Sequence, residues 1–167
     1  MRYGIVVSLA ILIGTQGASA LQDNPESAIL RRAAAAVQKA EPAWRFIAGF
    51  LNAPPLMDEQ LGAAAGGWYR SLDDLSTGVS VVIYRISTTE AAAGWLSRQA
   101  HGGVTKEWTV ASYELGDGAN MLTYVGPFNP TQYNLDFRKG RFLVHLGGRS
   151  KDSVEHFAQI LLAEISD

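Results

Sequence analysis

One stretch limits this chain more than any other: Val79-Ser80-Val81-Val82-Ile83-Tyr84-Arg85-Ile86. β-Branched and aromatic side chains lose rotamer freedom in a helix and pack well on a pleated sheet, so the run reads as a strand. Successive side chains on a strand point to opposite faces. This one is apolar on both, which predicts a central strand covered on both sides.

Three helices flank it in sequence. Asn24-Pro25-Glu26 opens the first, with Asn as cap, Pro at the first helical position and Glu at the positive end of the dipole. Ile29, Ala33, Val37 and Ala40 give it a shallow apolar face, and Pro42 stops it near Glu41. Ser87, with Glu90 three residues on, predicts the cap of a second helix. Its inner face is Ala91, Trp95 and Leu96, and His101-Gly102-Gly103 ends it. Asp152 and Glu155 suggest a capping box for the third, whose stripe is Val154, Phe157, Leu161 and Ile165, widened by Ala158 and Leu162.

The remaining elements read as strands, with one exception. Trp44 to Leu51 alternates like a strand, Asp58 to Ala65 suits a short helix closed by Gly66-Gly67, and 67–72 suits a short strand. From Trp108 onward the pattern is an antiparallel meander: Trp108 to Leu115, Asn120 to Val125, then a hairpin of Tyr133 to Arg138 and Arg141 to Leu146. In that hairpin Tyr133, Leu135, Phe137, Phe142, Val144 and Leu146 share one face. Asn134, Asp136, Arg138, Arg141, Leu143 and His145 share the other. The expected fold is α+β: a largely antiparallel sheet of about five or six strands in a single domain, with three helices packed on it, expected on one face, and the other face at least partly covered, the first helix and a long loop being the candidates for that cover. In element order alone it is similar to small secreted α+β domains such as the PsbP-like sandwich. That likeness assigns no functional residue.

The address comes from residues 1–20. Arg2, the apolar run Ile5 to Ile13 and the small-x-small site Ala18-Ser19-Ala20 have the anatomy of a signal peptide cut after Ala20. The run is shorter than the roughly 20 apolar residues a membrane span needs. The mature chain, 21–167, is then 147 residues, one domain's worth, in a periplasm or outside the cell. It holds 13 basic against 16 acidic residues, a net charge of −3, with no basic patch. That disfavours nucleic acid and any stable membrane anchor after cleavage. With no cysteine, a disulfide scaffold, a thiolate metal site, a cysteine nucleophile and a lipidated N-terminus are excluded.

No motif for catalysis, cofactor or metal appears: no phosphate loop, no HExxH, no GxSxG. Gly116-Asp117-Gly118 reads as a turn between strands. Of His101, His145 and His156, only His145 lies on the polar face of the hairpin, among Asn134 and Asp136. A two-residue loop at Lys139-Gly140 would set Asn134 opposite His145 and Asp136 diagonal to it, where a carboxylate can fix a tautomer. Asp136, His145 and Arg149 are therefore the catalytic candidates. Trp68, Tyr69 and Asn134 are the ligand-binding candidates, because adjacent aromatics on a strand point to opposite faces. The leading reading is an exported, non-enzymatic module that binds a small molecule or a protein. The alternatives are a secreted hydrolase or lyase using the acid/histidine group, and an assembly subunit that self-associates through Leu61 to Gly67 or a bare sheet edge. N-terminal sequencing of protein recovered after export should read Leu-Gln-Asp, from Leu21; a retained Met1 would refute processing.

Overall fold

The computed structural model describes residues 25–48, 61–73, 77–100, 107–126 and 130–165. In chain order these form α1 (Pro25–Ala40), β1 (Trp44–Ala48), β2 (Leu61–Ser71), β3 (Gly78–Ile86), α2 (Thr89–Ala100), β4 (Trp108–Tyr113), β5 (Ala119–Tyr124), β6 (Gln132–Lys139), β7 (Phe142–Gly148) and α3 (Lys151–Glu164). The strands make one antiparallel sheet in the order β1-β2-β3-β7-β6-β5-β4. It has seven strands among the described residues rather than five or six. The class expected from sequence, helices on a large antiparallel sheet, holds.

The valine-rich strand β3 sits inside the sheet, between β2 and β7, and is apolar on both sides as expected. Val79, Val81 and Ile83 belong to a large core with Ile29, Leu30 and Val37 of α1 and Val154, Phe157 and Leu161 of α3. Val82, Tyr84 and Ile86 belong to a smaller one with Ala92 and Leu96 of α2 and Leu143 of β7. The alternation along β3 therefore places α1 and α3 on one face and α2 on the other. That corrects the expectation of all three helices on one face. A strand buried on both sides needs a helix on each.

Other local expectations shift for identifiable reasons. Leu61 to Ala65 is strand, not helix: its backbone pairs with β3, and a helix would leave that edge of β3 unpaired. Residues 49–60, including the start of the expected helix, lie outside the described residues. The cap of α2 is Thr88, whose Oγ1 accepts the Ala91 N–H at 3.1 Å, rather than Ser87. The cap of α3 is Ser150, which accepts from the Ser153 N–H, rather than Asp152. Both true caps, Thr88 and Ser150, are small hydroxyl residues and lie within two residues of the expected ones. The apolar stripe of α3 is buried as expected.

Two features hold the ends of the sheet. Glu26, at the start of α1, is fully buried with Oε1 2.7 Å from Arg85 Nε on β3, an ion contact rather than an aligned hydrogen bond. Asp117, in the β4–β5 turn, accepts the Gly140 N–H at 2.7 Å and lies near Arg138 and Lys139. It thereby locks one turn to the next. Gly116 is left-handed there (φ 59°), and an added Cβ would strike the Arg138 carbonyl oxygen. Asp117 is thus a turn residue, as its spacing suggests. Phe157 is the hub of the large core, edge-on to Trp44 at 4.7 Å and beside Tyr69 at 5.0 Å. Phe157→Ala should lower the unfolding free energy by about 3–5 kcal/mol, read from urea denaturation.

Candidate functional site

On the α2 side of the sheet, side chains from neighbouring strands form rows. The hairpin turn is Gly140-Arg141, one position later than expected, so Lys139 faces Phe142 and the register moves by two. Asp136 therefore stands directly opposite His145, not diagonal to it, and Asn134 faces Gly147. A shift of two keeps every side chain on its predicted face. The next partner in the row is Asn120 of β5.

This row is a directed hydrogen-bond cascade. Asn120 Nδ2 donates to the Leu96 carbonyl at 2.8 Å and to Gln99 Oε1 at 3.2 Å. That fixes the Gln99 amide, whose Nε2 donates to Asp136 Oδ2 at 2.5 Å. The other oxygen of Asp136 meets His145 Nδ1 at 2.5 Å. A carboxylate only accepts, so Nδ1 carries the hydrogen and Nε2 is the ring's working atom. Asp136 is 0% exposed, whereas the His145 side chain is 27% exposed. The carboxylate is a buried anchor and the imidazole its outlet to solvent.

The free edge of the imidazole lies beside Gly147, where neighbouring polar side chains crowd the strand. A Cβ there would lie 2.9 Å from Asn134 Oδ1, 3.0 Å from Ser80 Oγ and 3.7 Å from His145 Nε2. Three polar tips thus converge where β7 has no side chain. Ser80 Oγ donates to the Gly147 carbonyl at 3.1 Å. One row further on, Trp108, Tyr124, Gln132, Arg149 and Pro130 line a cleft of about 340 Å³. Trp108 and Tyr124 pair with ring centroids 5.3 Å apart, tilted by 46°. Gln132 Nε2 donates to Asn134 Oδ1 at 3.4 Å, linking the cleft to the polar side chains packed around Gly147. A second hollow, of about 460 Å³, lies by the β4–β5 turn and α3 and is lined by Tyr113, Glu114, Gln159 and turn backbone among others.

The structure brings Asp136, His145 and Asn134 together and puts Arg149, in the bend just after β7, in the lining of the neighbouring cleft. It separates Tyr69 from them. Tyr69 is wholly buried on the opposite face, between Phe46 and Phe157, so it is a core residue and offers no ligand platform. Trp68 has its backbone in β2 opposite Ser80, and its side chain lies outside the described residues, as does His101. His156 is exposed, with Nε2 3.0 Å from Glu41. Sequence reading missed Gln99, Asn120 and Ser80. Gln99 was detectable: it follows Ala92 and Leu96 on the inward stripe of α2, where a polar residue needs a polar partner. No group of acidic or histidine side chains among the described residues could hold a metal ion. No protein-family model matches the chain, and no curated protein matches it.

Burial alone would push the His145 pKa down, but the charge and hydrogen bond of Asp136 outweigh it and the pKa is raised. Burial, helped by Asp136, pushes Tyr84 up to about 12, so its hydroxyl stays neutral. A raised histidine pKa means that the folded state holds the proton more tightly than the unfolded chain. The pair's contribution to stability is then complete below about pH 6.5 and is lost as pH rises through the folded value. Unfolding free energy measured across that window should fall in the wild-type protein and lack this step in His145→Gln. Parallel profiles would show that the pair contributes nothing.

Proposed function

We propose that this chain is an exported, single-domain binding module that holds a small ligand in the cleft of Trp108, Tyr124, Pro130, Gln132 and Arg149. The observation that carries the reading is the composition of that cleft: a paired aromatic surface, an amide and a guanidinium around about 340 Å³. Ligand sites combine apolar walls with a few placed polar groups, at volumes from roughly 300 Å³ upward. The aromatic pair offers stacking area, and Gln132 and Arg149 offer orientation. Export is supported by Arg2, the run Ile5 to Ile13 and Ala18-Ser19-Ala20. No helix among the described residues is long and apolar enough to cross a membrane.

The buried Asp136–His145 pair favours a second reading, a hydrolase or lyase in which His145 Nε2 moves a proton. Against it, Ser80 lies within a regular strand and spends its hydroxyl on a backbone carbonyl. Its position offers no strained elbow to present a nucleophile.

The test is a screen of ring-bearing acids, phenols and sugars by backbone amide NMR. Binders should shift the resonances of Trp108, Tyr124, Gln132 and Arg149, and Trp108→Ala should weaken them about fivefold or more, because stacking on an aromatic side chain is worth about 1–3 kcal/mol. Shifts confined to the hollow beside α3 would overturn the assignment. Turnover of an ester or glycoside, lost in His145→Gln, would favour the enzymatic reading instead.

A further inference from the structure

Resting on the cleft as the ligand site, we propose that it takes an acidic oligosaccharide built of uronate units, with one sugar ring on Trp108 and Tyr124 and a carboxylate at the Arg149 guanidinium. The order of the lining residues sets the order of the ligand's groups. Trp108 of β4 stands opposite Tyr124 of β5, and Tyr124 opposite Gln132 of β6. Continuing the β6–β7 register one step past Tyr133 and Gly148 brings Gln132 beside Arg149, in the bend after β7. The cleft is thus one row, aromatic at the β4 end and cationic at the other. At about 4.8 Å per step, Trp108 and Arg149 stand three steps, roughly 14 Å, apart along the backbone. A ligand that uses the whole row is longer than one sugar ring. It needs a ring at one end, polar groups between and an anion at the other.

Exposure selects a sugar. Trp108 and Tyr124 are half-buried, and Pro130, Gln132 and Arg149 are exposed. The cleft therefore covers one side of a ligand and leaves the other in water. An aromatic ligand gains most by burying both faces. A sugar lays its C–H face on one ring and keeps its outer hydroxyls wet. The rings of Trp108 and Tyr124 are tilted by 46°, so they form no parallel-walled slot for a flat molecule. Gln132 gives its Nε2 to Asn134, which leaves Oε1 to accept from a sugar hydroxyl. Charge selects the acid. Arg149 is the one charged residue in the lining, and it makes no ion pair among the described residues. Its planar fork of N–H donors matches a carboxylate. Gly126 positions the aromatic end. A Cβ there would lie 2.5 Å from the Tyr124 hydroxyl oxygen and 2.6 Å from a ring carbon, so the Tyr124 ring occupies the space that a side chain at 126 would fill.

Amide NMR titration of the exported protein at low salt tests this, with the trimers of galacturonate, mannuronate and guluronate, each beside its neutral methyl ester. At least one trimer should shift Trp108, Tyr124, Gln132 and Arg149. It should bind about threefold to fivefold more tightly than its ester, the upper range for an exposed charge pair. The preference should shrink in about 1 M salt. It should hold from about pH 5 to pH 9, because a sugar carboxyl is already ionised there and a guanidinium stays charged. Arg149→Gln should bring the trimer's affinity down to that of its ester. Gly126→Ala should weaken trimer and ester by the same factor, because it moves a ring and no charge. Equal binding of trimer and ester in every pair, or a preference that survives Arg149→Gln, overturns the acid inference and leaves the cleft assignment standing. So does the failure of every trimer and ester while another ring compound binds in a Trp108-dependent way, which overturns the sugar. If no screened compound shifts the lining residues, the cleft assignment fails as well.

Discussion

A carboxylate with no exposed surface governs this side of the molecule. Removing an ion from water costs several kcal/mol even after relaxation, and only good partners offset it. Asp136 has two, and each drags further structure into place. Gln99 holds one oxygen, and its own orientation is set by Asn120, which also takes the Leu96 carbonyl. The last turn of α2 is thereby tied to β5 and β6. His145 holds the other oxygen and ties in β7. Removing the carboxylate would leave an amide and an imidazole without their acceptor in a dry layer, so the cascade stands or falls as a unit.

The second constraint is geometric. A helix of 12 residues is about 18 Å long, while seven strands at about 4.8 Å spacing span about 29 Å. On one face α1 and α3, together 30 residues, share the cover. On the other α2 stands alone among the described residues, and its contacts centre on the strands that carry the cascade and the smaller core. Ile47 of β1, at 45% exposed, shows what lies beyond its reach on that face. The row Trp108–Tyr124–Gln132–Arg149 is open for the same reason. The cleft therefore follows from how little of this face one helix can cover.

Much of this was readable from the letters, and the failures share a cause. The two-sided apolar character of Val79 to Ile86 and the stripe of α3 are local patterns with large side chains, and both ended where the periodicity put them. The hairpin faces also survived, although its partners did not. Glycine suits the first central position of a type II′ turn, and Gly140 takes it with φ 54°, moving the loop by one and the register by two. Leu61 to Gly67 misled because alanine and glycine carry almost no periodic signal, and the open edge of β3 decided the matter. Asp136 with His145 was legible from face alternation. Gln99 was legible only as a polar residue on the inward stripe of α2, and Asn120 not at all, because their shared role exists only once a helix residue and two strands meet.

The same cascade that stabilises the fold also prepares the candidate site. A histidine on a loop would lose rotamer entropy on meeting a ligand; His145 has already lost it, held at Nδ1 by an acceptor that cannot move without breaking the α2 contact. Sites on strands hold their geometry better than sites on loops, and Ser80, Asn134, His145 and Gly147 are all on strands. The arrangement couples charge to structure in one direction. A proton on His145 strengthens its bond to Asp136, so the protonated state is also the one that secures β7 to β6.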